Sequence, residues 1–177
     1  MALNLRRFEP RDLHDLNRLL TDPQVTHDLG GPFTPVDVEE RLHCYLKAQD
    51  THGYARMAAF LGPDFAGYVG IMHQDGKDHP LGPHDEIGWR ILPAFWGKGI
   101  ATKAAHIALQ DVFDRVGLPH VLAYTTATNL PSQAVMTRLG MTRRPDMDFE
   151  EVYPPIGTWQ GLTWRITASD YRAGGME

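Results

Sequence analysis

The sequence contains a single cysteine, Cys44, so an internal disulfide framework is excluded. It has no uninterrupted apolar run of about 20 residues, the length that a membrane-spanning helix requires. Its first residues, MALNLRRFEPRD, lack the apolar stretch of a signal peptide. From these three absences we expect a soluble protein of the reducing cytoplasm.

The sequence also lacks an excess of positive charge. Lys and Arg number 17 against 22 Asp and Glu, which gives a net charge of -5 and a pI near 6.0. A general attraction to nucleic acid or to an anionic membrane is therefore not expected. The chain has 177 residues, is 42% hydrophobic and contains no internal repeat or low-complexity segment. We expect residues 1–177 to fold as one globular domain.

Histidine is plentiful, yet no metal-binding pattern accompanies it. Three of the nine histidines, His73, His79 and His84, flank a polar loop. Neither an H-x-x-x-H pair nor a His/Cys spacing typical of zinc sites is present. The sequence therefore favours solvated loop histidines over a metal site.

The apolar periodicity predicts strands and helices in alternation. LNLRRF predicts a strand, and PRDLHDLNRLLT and PVDVEERLHCYLKAQD predict two helices. YARMAAFL and FAGYVGIMH, separated by GPD, predict a hairpin. EIGWRIL, a helix over residues 97–116, VLAYTTA and a short helix in NLPSQAVMTRLG follow. The tail predicts two last strands, near residues 141–144 and 162–167, around a loop.

This order predicts a mixed sheet with helices packed on it. EIGWRIL, the long helix and VLAYTTA would form a βαβ crossover with parallel strands. In such a unit, the carboxyl ends of both strands and the start of the helix lie at one edge of the sheet. We therefore expect Leu92, residues 97–101, residues 126–129 and the start of the PSQAV helix to share one cleft.

The turn WGKG leads directly into the long helix. The first four amides of a helix lack internal partners and carry partial positive charge, which suits an anion such as phosphate. Gly97 and Gly99 let the backbone approach a ligand closely, and Lys98 adds a charge. The alternative is that GKG is simply a tight turn. GKGIAT does not supply the phosphate loop G-x-x-x-x-G-K-[ST], and Thr102 stands where a dinucleotide fingerprint needs glycine.

Two stretches taken together, EIGWRILPAFWGKGIATKAA and NLPSQAVMTRLGM, resemble the GNAT superfamily of acyl-CoA-dependent N-acetyltransferases. PAFWGKGIA is similar to the branch that contains RimJ/RimL-type ribosomal-protein N-terminal acetyltransferases. The resemblance is most specific between Glu86 and Met141 and extends weakly over nearly the whole chain. It implies an α/β (α+β mixed) fold with a mostly antiparallel twisted sheet of about seven strands and helices on both faces. It also implies a splayed parallel strand pair that binds acetyl-CoA, without a metal.

The resemblance assigns the cofactor-binding residues. The superfamily turn [RQ]-x-x-G-x-[GA] maps onto Trp96, Gly97, Lys98, Gly99, Ile100 and Ala101. In similar proteins, amides from the third to the sixth of these residues hold the CoA pyrophosphate. Trp96 departs from the pattern, and we expect it to be a core aromatic residue. The backbone of Ile91 and Leu92 would pair with the pantetheine arm as an added strand does, and its amides would steady the thioester oxygen.

The resemblance also assigns catalytic roles. Glu86 matches the general base of several members, since an amine is protonated at neutral pH and must lose a proton before it attacks. Asn129 and Ser132 match N-x-x-[AS]; Asn129 would bind the pantetheine arm, and Ser132 would protonate the departing thiolate. Met136 stands where many members carry a tyrosine and cannot donate a proton. Alternatively, Glu86 is an ordinary residue at a strand start. Asn129 and Ser132 would then only cap a helix, a role compatible with binding.

The resulting hypothesis is direct transfer of an acetyl group from acetyl-CoA to a primary amine. A protein or peptide N-terminus is the first expected acceptor, and small-molecule amines come next. GGPFT, Tyr153 and Trp159 would border the acceptor cleft. A non-catalytic CoA-binding sensor or scaffold and a nucleotide-binding module remain as alternatives, and a homodimer is left open.

Overall fold

Eight strands form one sheet in the computed structural model, which describes residues 1–153 and 157–174. The strands are β1 (Leu3–Arg7), β2 (Arg56–Leu61), β3 (Asp64–Gln74), β4 (His84–Ile91), β5 (His120–Thr125), β6 (Thr142–Arg143), β7 (Phe149–Tyr153) and β8 (Gly157–Thr167). Their order across the sheet is β1-β2-β3-β4-β5-β8-β6, with β7 beside β8. In this part of the chain β4 and β5 run parallel, and the other neighbours run antiparallel.

Helices cover the sheet. They are α1 (Leu13–Leu20), α2 (Pro23–Thr26), α3 (Pro35–His52), α4 (Ile100–Asp111), α5 (Leu130–Arg138) and α6 (Ala168–Gly174). One buried cluster joins α4 to sheet residues such as Ile71 and Ile87, and a second joins α1 and α3 to Ala58 and Phe65. Within residues 1–153 and 157–174, no helix is both long enough and apolar enough to cross a membrane. The expected mixed α/β fold is confirmed.

Two predicted boundaries are wrong, each for a local reason. The long helix begins at Ile100 rather than at residue 97, because Gly97 and Gly99 have φ angles of +73° and +71° that no right-handed helix contains. The loop expected before residue 162 instead contains β7 and the first half of β8. Glutamate and glycine, which disfavour strands, are common in that stretch, and cross-strand pairing overrides the weak local preference.

The parallel strands separate where the helix α4 begins. β4 and β5 are in register at one pair, Glu86 and Leu122, which lies near the start of β4. Beyond this pair, the carboxyl end of β4 has no partner strand on its β5 side. We call this opening the strand gap, and it is bounded by residues 87–91 of β4 and 123–125 of β5.

Candidate active site

Backbone groups at the end of β4 point into the strand gap. Ile91 lies opposite Gly67, and the neighbouring Leu92 N–H donates to the Ala66 carbonyl at 2.8 Å. This pattern makes Gly67 and Ile91 a non-hydrogen-bonded pair, so the N–H and C=O of Ile91 face away from β3. Trp89 has the same orientation two residues earlier. Of the two residues that the sequence suggested, Ile91 therefore faces the gap, whereas the Leu92 amide is already paired with β3.

Trp96 lies at the surface beside this gap. Its side chain is 51% exposed, and its indole Nε1–H donates to the Ile91 carbonyl at 2.7 Å. The expectation of a core aromatic residue is therefore wrong. A short helical turn over Pro93–Phe95 carries the chain outward before Trp96, which places the ring outside both buried clusters.

The glycine turn is open to solvent. Residues 97–99 are exposed, and a Cβ added to Gly97 or Gly99 would meet no atom within 4 Å. In the described part of the chain, the amides from Gly97 to Thr102 donate no hydrogen bond to a backbone or side-chain acceptor. Lys98 turns back, and its Nζ donates to the Ala94 carbonyl at 2.9 Å. The N-terminus of α4 thus presents a set of unpaired backbone N–H groups at an exposed turn, which suits an anion.

Glu86 is held by a buried ion pair. Its side chain is 13% exposed, and its Oε1 accepts a hydrogen bond from Nη2 of Arg56, which is 8% exposed, at 2.6 Å. Oε2 accepts from Gln74 Nε2 at 3.2 Å. Burial is the largest single effect on Arg56 and lowers its pKa, but the Glu86 carboxylate together with Tyr68 and Tyr45 raises it, and the net pKa of Arg56 lies above its ordinary value. The ion pair keeps the Glu86 carboxylate in a fixed position.

Arg56 also joins three strands. Its Nη1 donates to the carbonyl of Glu86 at 3.0 Å and to the carbonyl of Gly70. A Cβ on Gly88 would lie 2.6 Å from Arg56 Nη2, so glycine at this position leaves room for the guanidinium. The sequence predicted no role for Arg56. Its one signal was a cation inside the apolar strand YARMAAFL.

A second ion pair ties the end of β4 to α5. Arg90 Nη1 donates to Asp28 Oδ1 at 2.8 Å, and Asn129 Nδ2 donates to Asp28 Oδ2 at 3.2 Å. The Asn129 Oδ1 accepts from the Ser132 N–H at 3.2 Å and so caps α5. The expected capping is therefore present for Asn129, whereas Ser132 contributes its backbone N–H to the cap and not its hydroxyl. Asp28 connects both elements and was not singled out by the sequence.

A cavity of about 830 Å³ lies on the Glu86 face of the sheet. Its lining includes side chains from distant parts of the chain: Glu86, Arg90, Tyr124, Asn129, Ser132 and Trp159. Met136 and residues 30–33 of GGPFT also border it, whereas the Tyr153 side chain lies outside the described residues. The glycine turn is not part of this lining and lies at the outer surface. The predicted carboxylate, asparagine and serine thus share one cavity.

Tyr124 places a hydroxyl that can donate a hydrogen bond in this cavity. Burial raises the pKa of its hydroxyl far above the ordinary value, and the charges of Glu86 and Glu151 raise it further. His84 Nδ1 donates to the Gly82 carbonyl at 2.7 Å, which leaves Nε2 to accept from the Tyr124 hydroxyl at 3.5 Å. The hydroxyl therefore stays protonated at neutral pH. The sequence gave no indication of this role, because Tyr124 lies within an ordinary strand pattern.

The loop histidines are less solvated than expected. His84 is buried at 7% exposure, and the His79 ring lies 4.8 Å from Phe149 and 5.4 Å from Tyr124 between ring centroids. The hairpin of β7 and β8 covers them, and that hairpin was absent from the sequence prediction. Burial lowers the pKa of His79, and neighbouring His84 lowers it further. Among the described residues, no group of three or more His, Cys, Asp or Glu side chains is placed to hold a metal ion.

Comparison with known proteins gives consistent matches. The family described as "Acetyltransferase (GNAT) domain" matches residues 2–142. The chain is 34% identical to the uncharacterized N-acetyltransferase YnaD of Bacillus subtilis, over 89% of this chain and 88% of that protein. It is 28% identical to the FsC-acetyl coenzyme A-N(2)-transacetylase of Aspergillus fumigatus, over 87% and 68%. The structure of spermidine N-acetyltransferase from Vibrio cholerae with CoA and spermine is 20% identical, with a TM-score of 0.74 over 96% of this chain and 98% of that one.

Proposed function

Because the chain belongs to the acetyltransferase (GNAT) domain family and uses acetyl-CoA as cosubstrate, we propose that it transfers the acetyl group directly to a bound primary amine. The amine nitrogen attacks the thioester carbon, the carbon–sulfur bond breaks, and CoA leaves as its thiolate. Before the attack, the ammonium form of the acceptor loses one proton to Glu86, directly or through water. The nitrogen loses a second proton as the amide forms, which balances the proton that the thiolate takes up. No acyl-enzyme forms. The fixed Glu86 carboxylate at the cavity beside the strand gap is the observation that carries this proposal.

The cofactor would lie across the strand gap. The N–H groups of Trp89 and Ile91 and the Trp89 C=O face this gap and suit an extended pantetheine arm that adds to β4 as a strand does, whereas the Ile91 C=O already accepts from the Trp96 indole. The open amides between Gly97 and Ala101 would hold the pyrophosphate, and Ile100 and Ala101 begin α4 at that point. Asn129 would contact the arm through the strand-to-helix turn before α5.

Replacing Gly99 by alanine tests the phosphate contact. Gly99 has a φ of +71°, and a side chain in that conformation costs about 1–2 kcal/mol. The added Cβ also projects toward the place proposed for the phosphate. We expect the affinity for CoA, measured by calorimetry, to fall roughly ten-fold, the equivalent of about 1.4 kcal/mol.

Gly117→Ala is the matched control for Gly99→Ala. Gly117 ends the same helical segment with a φ of +80°, and its added Cβ also meets no atom within 4 Å. The two variants should lose similar stability, but CoA affinity should fall only for Gly99→Ala. Equal CoA affinity in both variants would count against a phosphate at the glycine turn.

Ser132 would protonate the leaving thiolate. It lines the cavity at the start of α5, whereas the buried Met136 one turn later has no proton to give. A thiolate is also a competent leaving group near its own pKa, so this acid contributes less than the base.

The acceptor is a primary amine, with a protein or peptide N-terminus as the first candidate. The turn PAFWGKGIA supports the RimJ/RimL-like branch, and small amines are the second class because the spermidine enzyme of similar fold was crystallised with spermine. The chain would act as one domain, residues 1–177, in the cytoplasm. The rival function is a CoA-binding sensor or scaffold; Glu86, Ser132 and the glycine turn count against it, and the departures at Trp96 and Met136 keep it open.

A thiol-release assay with acetyl-CoA separates transfer from sensing. Peptides with free N-termini and small amines serve as acceptors, and mass spectrometry identifies the acetylated product. The proposal expects thiol release that depends on an amine. The acetylated amine should be about 42 Da heavier than the free amine, because an acetyl group replaces one hydrogen. CoA binding without turnover across both panels would support the sensor. A kinetically competent acetylated serine or cysteine would overturn direct transfer.

A further inference from the structure

An aromatic wall shares the cavity with Glu86. It combines rings from a loop, from β5 and from the hairpin of β7 and β8: His79, Tyr124, Phe149 and Trp159. Ring centroids of Tyr124 and Trp159 lie 6.2 Å apart, and those of Phe149 and Trp159 lie 5.6 Å apart. His79, Tyr124 and Trp159 also line the cavity. The wall therefore presents aromatic surface to whatever occupies the acceptor side.

One carboxylate belongs to this wall. Glu151 on β7 lies directly opposite Trp159 on β8, and the two residues share one face of the hairpin and line the cavity. The Glu151 charge acts on the Tyr124 hydroxyl, as the Glu86 charge does. Both carboxylates thus act on Tyr124, Glu86 from the proposed reaction centre and Glu151 from the hairpin.

Glu151 forms none of the ion pairs within 4 Å that join the described residues, although Arg41 lines the same cavity. Two cations of the cavity form ion pairs with other carboxylates: Arg56 pairs with Glu86, and Arg90 pairs with Asp28. Arg41 stacks on Phe33, with 4.2 Å between its Cζ and the ring centroid. His79 accepts a hydrogen bond from the Leu81 N–H through Nδ1, as a neutral imidazole does. A carboxylate beside aromatic faces that joins none of these ion pairs is the arrangement that attracts an organic cation.

Building on the acetyl transfer proposed above, we infer that the acceptor carries a second positive charge, which binds between Glu151 and the faces of Trp159 and Tyr124. The reacting amine would lie near Glu86 and the second ammonium at the hairpin. The preferred substrates are then diamines, or peptides whose second residue is basic. The second charge contributes to binding and takes no part in the chemistry, so it lowers KM and leaves kcat nearly unchanged.

Matched acceptor pairs test the second charge. The first pair is a set of α,ω-diaminoalkanes against n-alkylamines of equal chain length. The second pair is peptides with lysine against the same peptides with norleucine at the second position. We expect kcat/KM to be about ten-fold higher for the charged member of at least one pair, within the range of a desolvated cation–aromatic contact. The preference should shrink as the salt concentration rises.

The variant Glu151→Gln locates the subsite. It should raise KM for the charged acceptor about ten-fold, leave kcat nearly unchanged, and leave the uncharged member of the pair unaffected. Glu150→Gln is the control, because Glu150 lies on the opposite face of β7, where its Oε1 accepts from Gln160 Nε2 at 2.9 Å. Glu150→Gln removes the same charge and should leave both acceptors unaffected.

Three outcomes would overturn this inference. The first is turnover of charged and uncharged acceptors with equal kcat/KM. The second is an equal loss on both members of a pair in Glu151→Gln, which would indicate a structural role for the carboxylate. In both cases acetyl transfer itself stands. The third is an absence of turnover on every amine despite CoA binding, and it would overturn the proposed function together with the subsite.

Discussion

Replacing Arg56 by methionine is expected to lower the free energy of unfolding by about 3–5 kcal/mol, the range for breaking one side of a buried ion pair. The change leaves the Glu86 carboxylate, only 13% exposed, without its counter-charge. It also removes the donor from the carbonyls of Gly70 and Glu86. Urea unfolding followed by tryptophan fluorescence would measure the loss, and activity should fall because the carboxylate is no longer fixed.

Two control variants test whether the stability lost in Arg56→Met comes from leaving a buried charge unpaired. Arg144→Met breaks a solvent-screened pair with Asp146, whose side chain is 61% exposed, and should cost much less stability than Arg56→Met. The double variant Arg56→Met with Glu86→Leu removes both charges and should regain most of the stability that Arg56→Met loses, but not the activity. If the double variant is no more stable than Arg56→Met, the unpaired carboxylate is not the source of the loss.

The location of the site could be predicted because it follows from one local unit. EIGWRIL, the long helix and VLAYTTA are consecutive, and a right-handed crossover places their ends at one edge of the sheet. Asn129 and Ser132 do line one cavity, together with Glu86, but Leu92 and residues 97–101, which the same geometry placed in that cleft, lie outside its lining. The open glycine turn was predictable for the same reason, since glycines before an apolar helical stripe mark a helix start with unpaired amides.

The partners of these residues depend on contacts that no local pattern encodes. Arg56 reaches Glu86 from β2 across the intervening β3, a separation of 30 residues. Asp28 meets Asn129 across 101 residues. Glu151 and Trp159 reach the cavity only because the last hairpin folds over the polar loop. Each of these is a tertiary contact between weakly patterned segments, where pairing and burial decide the structure and local preference does not.

Replacing Glu86 by glutamine is expected to reduce kcat at pH 7 by about 10²–10⁴-fold, the contribution typical of a positioned general base. Glutamine keeps an oxygen that can accept from Arg56 Nη2, and the Gln74 amide can turn to accept from the new NH2 group. The fold should therefore persist. Affinity for CoA should change little, because the glycine turn lies outside the cavity that Glu86 lines.

The pH dependence of the activity lost in Glu86→Gln tests directly whether Glu86 is the general base. Without a base, the variant depends on the fraction of acceptor that is already a neutral amine, and this fraction rises about ten-fold per pH unit below the pKa of the amine. The gap between wild type and Glu86→Gln should therefore narrow as pH rises. It should close near pH 8 for an N-terminal α-amine and near pH 10.4 for an alkylamine, roughly the pKa values of the two groups. Steady-state kcat/KM of wild type and Glu86→Gln, taken between about pH 6.5 and 10, measures this gap for both acceptor classes.

Two outcomes would contradict the role of Glu86 as base. A loss of kcat/KM of constant size across this pH range would mean that Glu86 orients the acceptor rather than removing its proton. Unchanged turnover in Glu86→Gln would place the base on another residue.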